Sequence, residues 1–254
     1  MHYSGPLASL PASLDPSIAD DGDAAHFCGA CAFAGSCQTM GYGKPELAAL
    51  HCLVEHVGPF RSGEHIFRTG YPFRAIFAVR SGAVKTCVVD KHGREQVLGF
   101  YLPGEVVGLN AIYPDQFPCD AVSLETSQLC RLSFPAMSAL AASMPAIQQH
   151  LFRLISRELG MASQLAADYS AEERMAAFLA DLSRRYAARG FSGTRFILRM
   201  SRCDIANYLR LAAETVSRVL GRLRSKGLID IDGRVLTVLD RDGLFALGQG
   251  VLTP

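Results

Sequence analysis

A chain of 254 residues, 49% of them hydrophobic, can bury one large core or two modest ones, and ordinary domain sizes favour two. No stretch reaches the ~18 apolar residues of a membrane span, and the opening MHYSGPLASLPASLDPSIADDGDAA lacks the basic start and apolar core of an export signal, so a cytoplasmic protein with no membrane partner is expected. The formal net charge of +1 conceals a split: Met1 to Tyr169 holds 11 Lys and Arg against 15 Asp and Glu and the remainder 14 against 9, so the last third is positive and permits an anionic partner.

The first 25 residues, rich in Pro, Ser, Ala and Asp and without periodicity, read as a mobile arm. HFCGACAFAGSC follows, with Cys28, Cys31 and Cys37 at C-x2-C-x5-C spacing. In a reducing compartment such crowded cysteines point to metal ligands or reactive thiols rather than disulfides. Three neighbouring thiolates repel, so a cation must take up their charge. Structural zinc sites generally pair two close knuckles, and the chain has no second C-x2-C. An iron-sulfur cluster needs four cysteines and tolerates one that is distant in sequence. Cys52, Cys87, Cys119, Cys130 and Cys203 are the remaining choices. Cys87 lies in an apolar strand and Cys203 in the C-terminal unit, where a small buried or surface residue is the default. Cys52 falls in an expected helix, and Cys119 follows a loop proline, so both stay open.

From about Pro59 to Phe134 short apolar runs alternate with turn signals: HIF, AIFAV, AVKTCVV, QVLGFYL, EVVGL and SQLCRLSF, punctuated by KHG and PG. This spacing predicts a small antiparallel barrel or sandwich. After Pro135, Ile147, Leu151, Leu154, Glu158, Met161 and Leu165 recur at alternating four and three, the stripe of a helix that faces another helix. Its first half equally suits packing on its own barrel, whereas its length between two domains suits self-association, with Glu158 brought near a second Glu158 by symmetry.

Ser170 with Glu173 forms a capping box that opens ERMAAFLADLSRRYAAR, closed by Gly190. A helix over Arg202 to Leu209, a short turn, a helix over Glu214 to Lys226, and a hairpin of Leu228 to Ile231 and Val235 to Leu239 across Asp232-Gly233 complete the chain. Helix, turn, helix and two-stranded wing is a DNA-binding architecture. In the second helix Val216, Val219, Leu220 and Leu223 form an apolar face, opposite Glu214, Ser217, Arg218, Arg222 and Arg224. Glu accepts from cytosine N4 and Arg grips guanine O6 and N7, each worth ~1–3 kcal/mol of discrimination. Spacing alone favours a plain i,i+4 salt bridge between Glu214 and Arg218. The surrounding architecture turns the balance toward DNA.

DIANYLRLAAETVSRVLGRLRSKGLI resembles the winged helix of the CRP/FNR bacterial transcription regulators, AEERMAAFLADLSRRYAARGFS the helix that opens it, and FAVRSGAVKT with GREQVLGFYLPGEVVG the family's cyclic-nucleotide-type β-roll. The resemblance runs from His26 to about Leu239, and the three-cysteine motif resembles the FNR branch, regulators of fumarate and nitrate reduction. It implies an α+β fold: arm 1–25, iron-sulfur loop and β-roll 26–134, dimerisation helix 135–169 and winged helix-turn-helix domain 170–254. It further implies an oxygen-responsive homodimer that acts with RNA polymerase, is not an enzyme, and carries one 4Fe-4S cluster per subunit. Its readout trio falls on Glu214, Ser217 and Arg218, implying half-sites similar to TTGAT, and Ser201 matches a phosphate contact. ETSQLC is similar to the ETSxxC of the FNR branch and selects Cys130 as the distal ligand beside Cys28, Cys31 and Cys37, with Cys119 in reserve.

The sequence departs from that pattern at three places. Arg210 and Ala212 stand where Gly and a hydroxyl residue are usual, removing turn freedom and an N-cap worth ~1 kcal/mol while offering a phosphate contact through Arg210. Ser36 stands where a bulkier apolar residue is common, which predicts a cluster less shielded from oxygen. Competing readings are weaker. A cyclic-nucleotide pocket has Gly104-Glu105 but Pro118-Cys119 where an Arg clamp belongs. Haem ligation by a Cys or by His51, His56 or His92 stays open because neither ligand type has a strict spacing rule, although lone histidines are usually structural or solvent-facing, and a zinc-stabilised DNA-binding protein with no sensing role is the plainest alternative. An enzyme reading finds no phosphate loop, metal-hydrolase helix or nucleophile elbow, and no βαβ setting for a redox C-x-x-C.

Overall fold

The computed structural model describes residues 53–164 and 169–252. The expected arm, Cys28, Cys31, Ser36, Cys37, His51, Cys52 and Leu165 lie outside the described residues, as does the side chain of Met161.

Eight strands form the N-terminal unit: β1 Val54–Phe60, β2 His65–Phe67, β3 Ala75–Ser81, β4 Val84–Val89, β5 Glu95–Tyr101, β6 Val106–Val107, β7 Asp120–Ser123 and β8 Ser127–Ser133. They make two antiparallel sheets, ordered β1-β8-β3-β6 and β2-β7-β4-β5. Each of the six expected runs holds a strand, EVVGL only at Val106–Val107. β1 carries a proline and β7 is four residues long, so neither offered a clear alternation to read. Gly82 makes the β3–β4 turn possible: at φ 84° an added Cβ would lie 2.2 Å from Ser127 Oγ. Between the sheets, Phe67 stacks on Phe117 at 3.8 Å, flanked by Phe73 and Phe77.

The helical stretch that follows is two elements, α1 Phe134–Ser143 and α2 Pro145–Gln164. Pro145 lacks the N–H that would continue α1, and Met144 before it is extended. α2 lays Ile147, 0% exposed, and Leu151, 9%, into the barrel core, with Leu154 and Ile155 packed at its margin.

The C-terminal unit runs α3 Ala171–Ala187, β9 Arg195–Ile197, α4 Arg202–Leu209, α5 Ala213–Ser225, β10 Ile229–Asp232, β11 Val235–Val238 and α6 Arg241–Leu252. The expected capping box is present: Glu173 N–H donates to Ser170 Oγ at 3.3 Å and Ser170 N–H to Glu173 Oε2 at 2.8 Å. The expected hairpin gains a third strand, in the order β10-β11-β9. α6 packs on α3 through Gly248, where a Cβ would come within 2.6 Å of the Ala177 backbone nitrogen. The second core does not respect the boundary between units. Ala83, Val97, Phe100 and Leu102 of the barrel share it with Phe178, Leu182, Tyr208 and Leu209.

Candidate functional site

Helix α5 divides by face. Val216, Val219, Leu220 and Leu223 are all at most 4% exposed, which anchors the helix. Glu214, Ser217 and Arg218 project together into solvent from its first two turns. Glu214 and Arg218 form no salt bridge with each other; Arg218 Nη2 donates instead to Thr215 Oγ1 at 3.2 Å, leaving the Glu214 carboxylate outward. The remaining expected polar-face cations are neutralised inside the unit. Arg224 Nε meets Asp230 at 2.8 Å, and Glu172 of α3 receives both Arg222, at 3.7 Å, and Lys226. Arg222 and Arg224 stay on the exposed face, as expected, and also tie α5 to its scaffold.

Ser201 is the N-cap of α4 and is exposed; its Oγ donates to Asp204 Oδ2 at 2.6 Å and accepts from Asp204 N–H at 3.0 Å. Arg210 closes α4 in the left-handed region, at φ 55°, with its side chain exposed. A non-glycine residue there costs about 1 kcal/mol. Ala212, the N-cap of α5, makes no side-chain cap.

The described cysteines differ in setting. Cys119 is 0% exposed, its sulfur facing Asn110 Nδ2 at 3.4 Å, and burial pushes its thiol pKa up. Burial first, then the Glu95 carboxylate, push Cys87 up to about 12. Cys203 is exposed on α4. Cys130 is half-buried on β8, paired across the sheet with His56 of β1 and Ala78 of β3. Directly opposed residues share one face of a sheet, and β1 is the strand that the preceding segment enters. Among the described residues no cluster of three or more His, Cys, Asp and Glu could hold a metal.

Glu105 is 1% exposed and fully engaged. Its carboxylate accepts from Arg185 Nε at 2.8 Å, and Arg189 and Arg157 stand at 2.8 and 3.3 Å. Burial opposes its charge, but Arg185, Arg189 and Arg157 outweigh that and bring its pKa to about 2.

By symmetry, Glu158 is expected near a second Glu158 across a dimer axis. Its carboxylate instead accepts from Tyr101 OH of its own barrel at 3.2 Å, and burial raises its pKa. Ile147 and Leu151, expected in the same interface, have almost no surface to offer a partner. Among the described side chains of α2 the large exposed apolar ones are Phe152, at 62%, and Leu159, at 66%, seven apart with exposed Ser156 between them. Every described member of the expected stripe, Ile147, Leu151, Leu154 and Glu158, turns toward its own barrel, because spacing shows that a helix has a packing face and not which surface that face meets.

Sequence reasoning missed the residues that join the two units. Lys85 of β4 bridges Glu95 and Asp204 at 2.6 and 2.7 Å, Arg199 pairs with Glu125, and Asn207 Oδ1 accepts from Val97 N–H at 2.6 Å while its Nδ2 donates to Glu95 O. Pairs so distant in sequence carry no local signal.

Residues 58–144 match a family model described as the cyclic nucleotide-binding domain, and residues 173–247 one described as the Crp-like helix-turn-helix domain. The chain is 40% identical over 228 residues to the transcriptional activator protein FnrA of Stutzerimonas stutzeri, covering 89% of this chain and 93% of that one. It is 38% identical over 229 residues to the fumarate and nitrate reduction regulatory protein of Salmonella typhi, covering 89% and 92%. Among solved structures, FixK2 from Bradyrhizobium japonicum superposes with a TM-score of 0.68 at 28% identity, over 76% of this chain and 96% of that one.

Proposed function

From the premise that the chain belongs to the CRP/FNR family of transcription regulators, which are not enzymes, we propose that it is an anaerobic transcription activator. It reads inverted repeats of TTGAT-like half-sites as a homodimer, under control of a 4Fe-4S cluster held by Cys28, Cys31, Cys37 and Cys130. The observation that carries the DNA reading is the outward set Glu214, Ser217 and Arg218 on a helix whose other face is sealed in the core. Relatives named anaerobic regulatory protein and fumarate and nitrate reduction regulatory protein support the oxygen response. Glu214 would accept from a cytosine amino group and Arg218 would donate to a guanine, with Ser201 and Arg210 available to phosphates. Among the described cysteines, Cys130 best suits the distal ligand: Cys119 and Cys87 are sealed and held protonated, and Cys203 belongs to the DNA-reading unit.

When bound, such a cluster supplies an oxygen-labile centre. The residues of this chain do the rest. Cys130 sits on β8 beside β1 and β3, and β8 runs directly into α1 and then α2, so a pull on it is passed along the chain to α2, which presents Phe152, Ser156 and Leu159 to a second copy. Pairing joins two half-site affinities into one. Contact with RNA polymerase belongs to the same proposal and follows from the activator names of the relatives.

Protein purified without air should contain iron and acid-labile sulfide and absorb broadly in the visible blue. A Cys130→Ser protein should lose both contents. Unchanged contents in that variant would remove Cys130 from the proposal, and neither element in the wild type would remove the cluster. No helix among the described residues is long and apolar enough to cross a membrane.

A further inference from the structure

A dimer that reads two half-sites must hold its two recognition helices at a fixed separation. In one protomer that separation depends on the angle between α2, which pairs the copies, and α5, which reads DNA. α2 is a 20-residue helix, so it is about 30 Å long, and a 10° swing of such an arm moves its end by about 5 Å. One base pair rises only about 3.4 Å. A free hinge between the units would therefore blur spacing by more than a base pair, and something must stiffen the angle if spacing is to be read.

Two contacts meet this need. The first is centred on Glu105. One buried carboxylate joins Arg157 of α2, at 3.3 Å, to Arg185 of α3 and Arg189 just beyond its C-terminus, each at 2.8 Å, and Arg185 also donates to the Phe100 carbonyl. The pairing helix and the first helix of the DNA-reading unit thus share one acceptor on the barrel. The second contact is Asn207 on α4. Its side-chain amide accepts from Val97 N–H and donates to Glu95 O along β5, an edge strand, while Gln96 Nε2 donates to the Asn207 carbonyl at 3.1 Å. The amide thereby completes a sheet edge as a neighbouring strand would. Lys85 reinforces it through Asp204, and Phe100 packs on Phe178 and Tyr208 at 6.0 and 5.2 Å. In this docked arrangement Glu214, Ser217 and Arg218 and the Phe152–Leu159 face are all exposed at once. The docking blocks neither DNA nor a partner copy, so its effect is to fix geometry.

We propose that Arg157, through Glu105, and Asn207, through the β5 edge, are positioning residues that set the spacing between half-sites the dimer accepts. The inference rests on the dimeric DNA-reading function above, and its test separates the two. Full-length protein prepared without air is titrated by fluorescence anisotropy against four duplexes: two half-sites at the preferred spacing, the same with one or two base pairs inserted, and one half-site alone. One inserted pair shifts the second site by about 3.4 Å and turns it by about 35°. The wild type is expected to lose about 30-fold or more in affinity on that insertion, within the 100-fold or larger gain that linked sites provide. Arg157→Ala/Asn207→Ala is expected to lose less than about 5-fold, with single-half-site affinity unchanged. Both proteins are titrated at a concentration at which sedimentation shows them dimeric, since weaker pairing would also flatten the ratio between duplexes. Should the double variant fail to fold, Arg157→Ala alone, at a side chain 38% exposed, tests the same expectation. Discrimination equal to that of the wild type overturns the proposal and leaves the function standing. A wild type that gains nothing from the second half-site removes the dimeric reading, and the proposal with it.

Discussion

Arg218 and Ala212 show how single side chains on one short helix separate recognition from stability. Arg218 is exposed and tethered only by Thr215, so Arg218→Ala should cost about 1–3 kcal/mol of binding to a specific duplex and relax preference at one base position. Thermal unfolding should barely change. Ala212 is extended at the N-cap of α5 and leaves helix N–H groups without a side-chain acceptor. Ala212→Ser should therefore raise stability by about 1 kcal/mol, read as a higher melting temperature. Glu158 gives a pH signature. Its folded pKa lies above the unfolded value of 4.5, so the native state binds the extra proton and stability falls as pH rises through that window. Glu158→Gln keeps an acceptor for Tyr101 and should be more stable than the wild type at neutral pH, with the difference closing below pH 4.5 in urea titrations.

At the scale of an element, α2 does two jobs on two faces. Ile147 belongs to the barrel, and Ile147→Ala should cost about 2–5 kcal/mol of folding stability through the cavity it leaves. Phe152 and Leu159 belong to the outside, so Phe152→Ser/Leu159→Ser should weaken self-association at least about tenfold in sedimentation while leaving the melting temperature of the protomer nearly unchanged. The reverse pattern in either variant would mean that the faces are exchanged. α5 follows the same logic, with Arg222, Arg224 and Lys226 tying its rear to α3 and β10 while its first turns stay open.

Across the whole molecule the junction of the two units is charged as well as apolar. Glu105 has its pKa brought down to about 2 against the 4.5 of the unfolded chain. The unfolded state therefore takes up the proton first as pH falls: the contribution of this carboxylate is complete above pH 4.5 and is lost as pH drops toward about 2. Glu105→Gln leaves three guanidiniums around a neutral amide and should destabilise by about 3–5 kcal/mol at neutral pH. Its acid-side stability profile should be flatter than that of the wild type, a comparison that denaturant titrations at pH 3 and 7 would settle.

The six strand runs, the Ser170 capping box, both helices of the helix-turn-helix and its hairpin were legible in the sequence, because period, cap and turn chemistry act over a few residues. The same holds for the apolar face of α5 and for the outward placement of Glu214, Ser217 and Arg218. Only the tertiary structure decided that the α2 stripe faces its own barrel, which cations of α5 are paired, where Cys130 lies relative to β1, and that the two units share an apolar core and are tied through Glu105, Lys85 and Asn207. Those outcomes depend on which distant surfaces meet, and a chain read in order holds no record of distance between residues 80 or more positions apart.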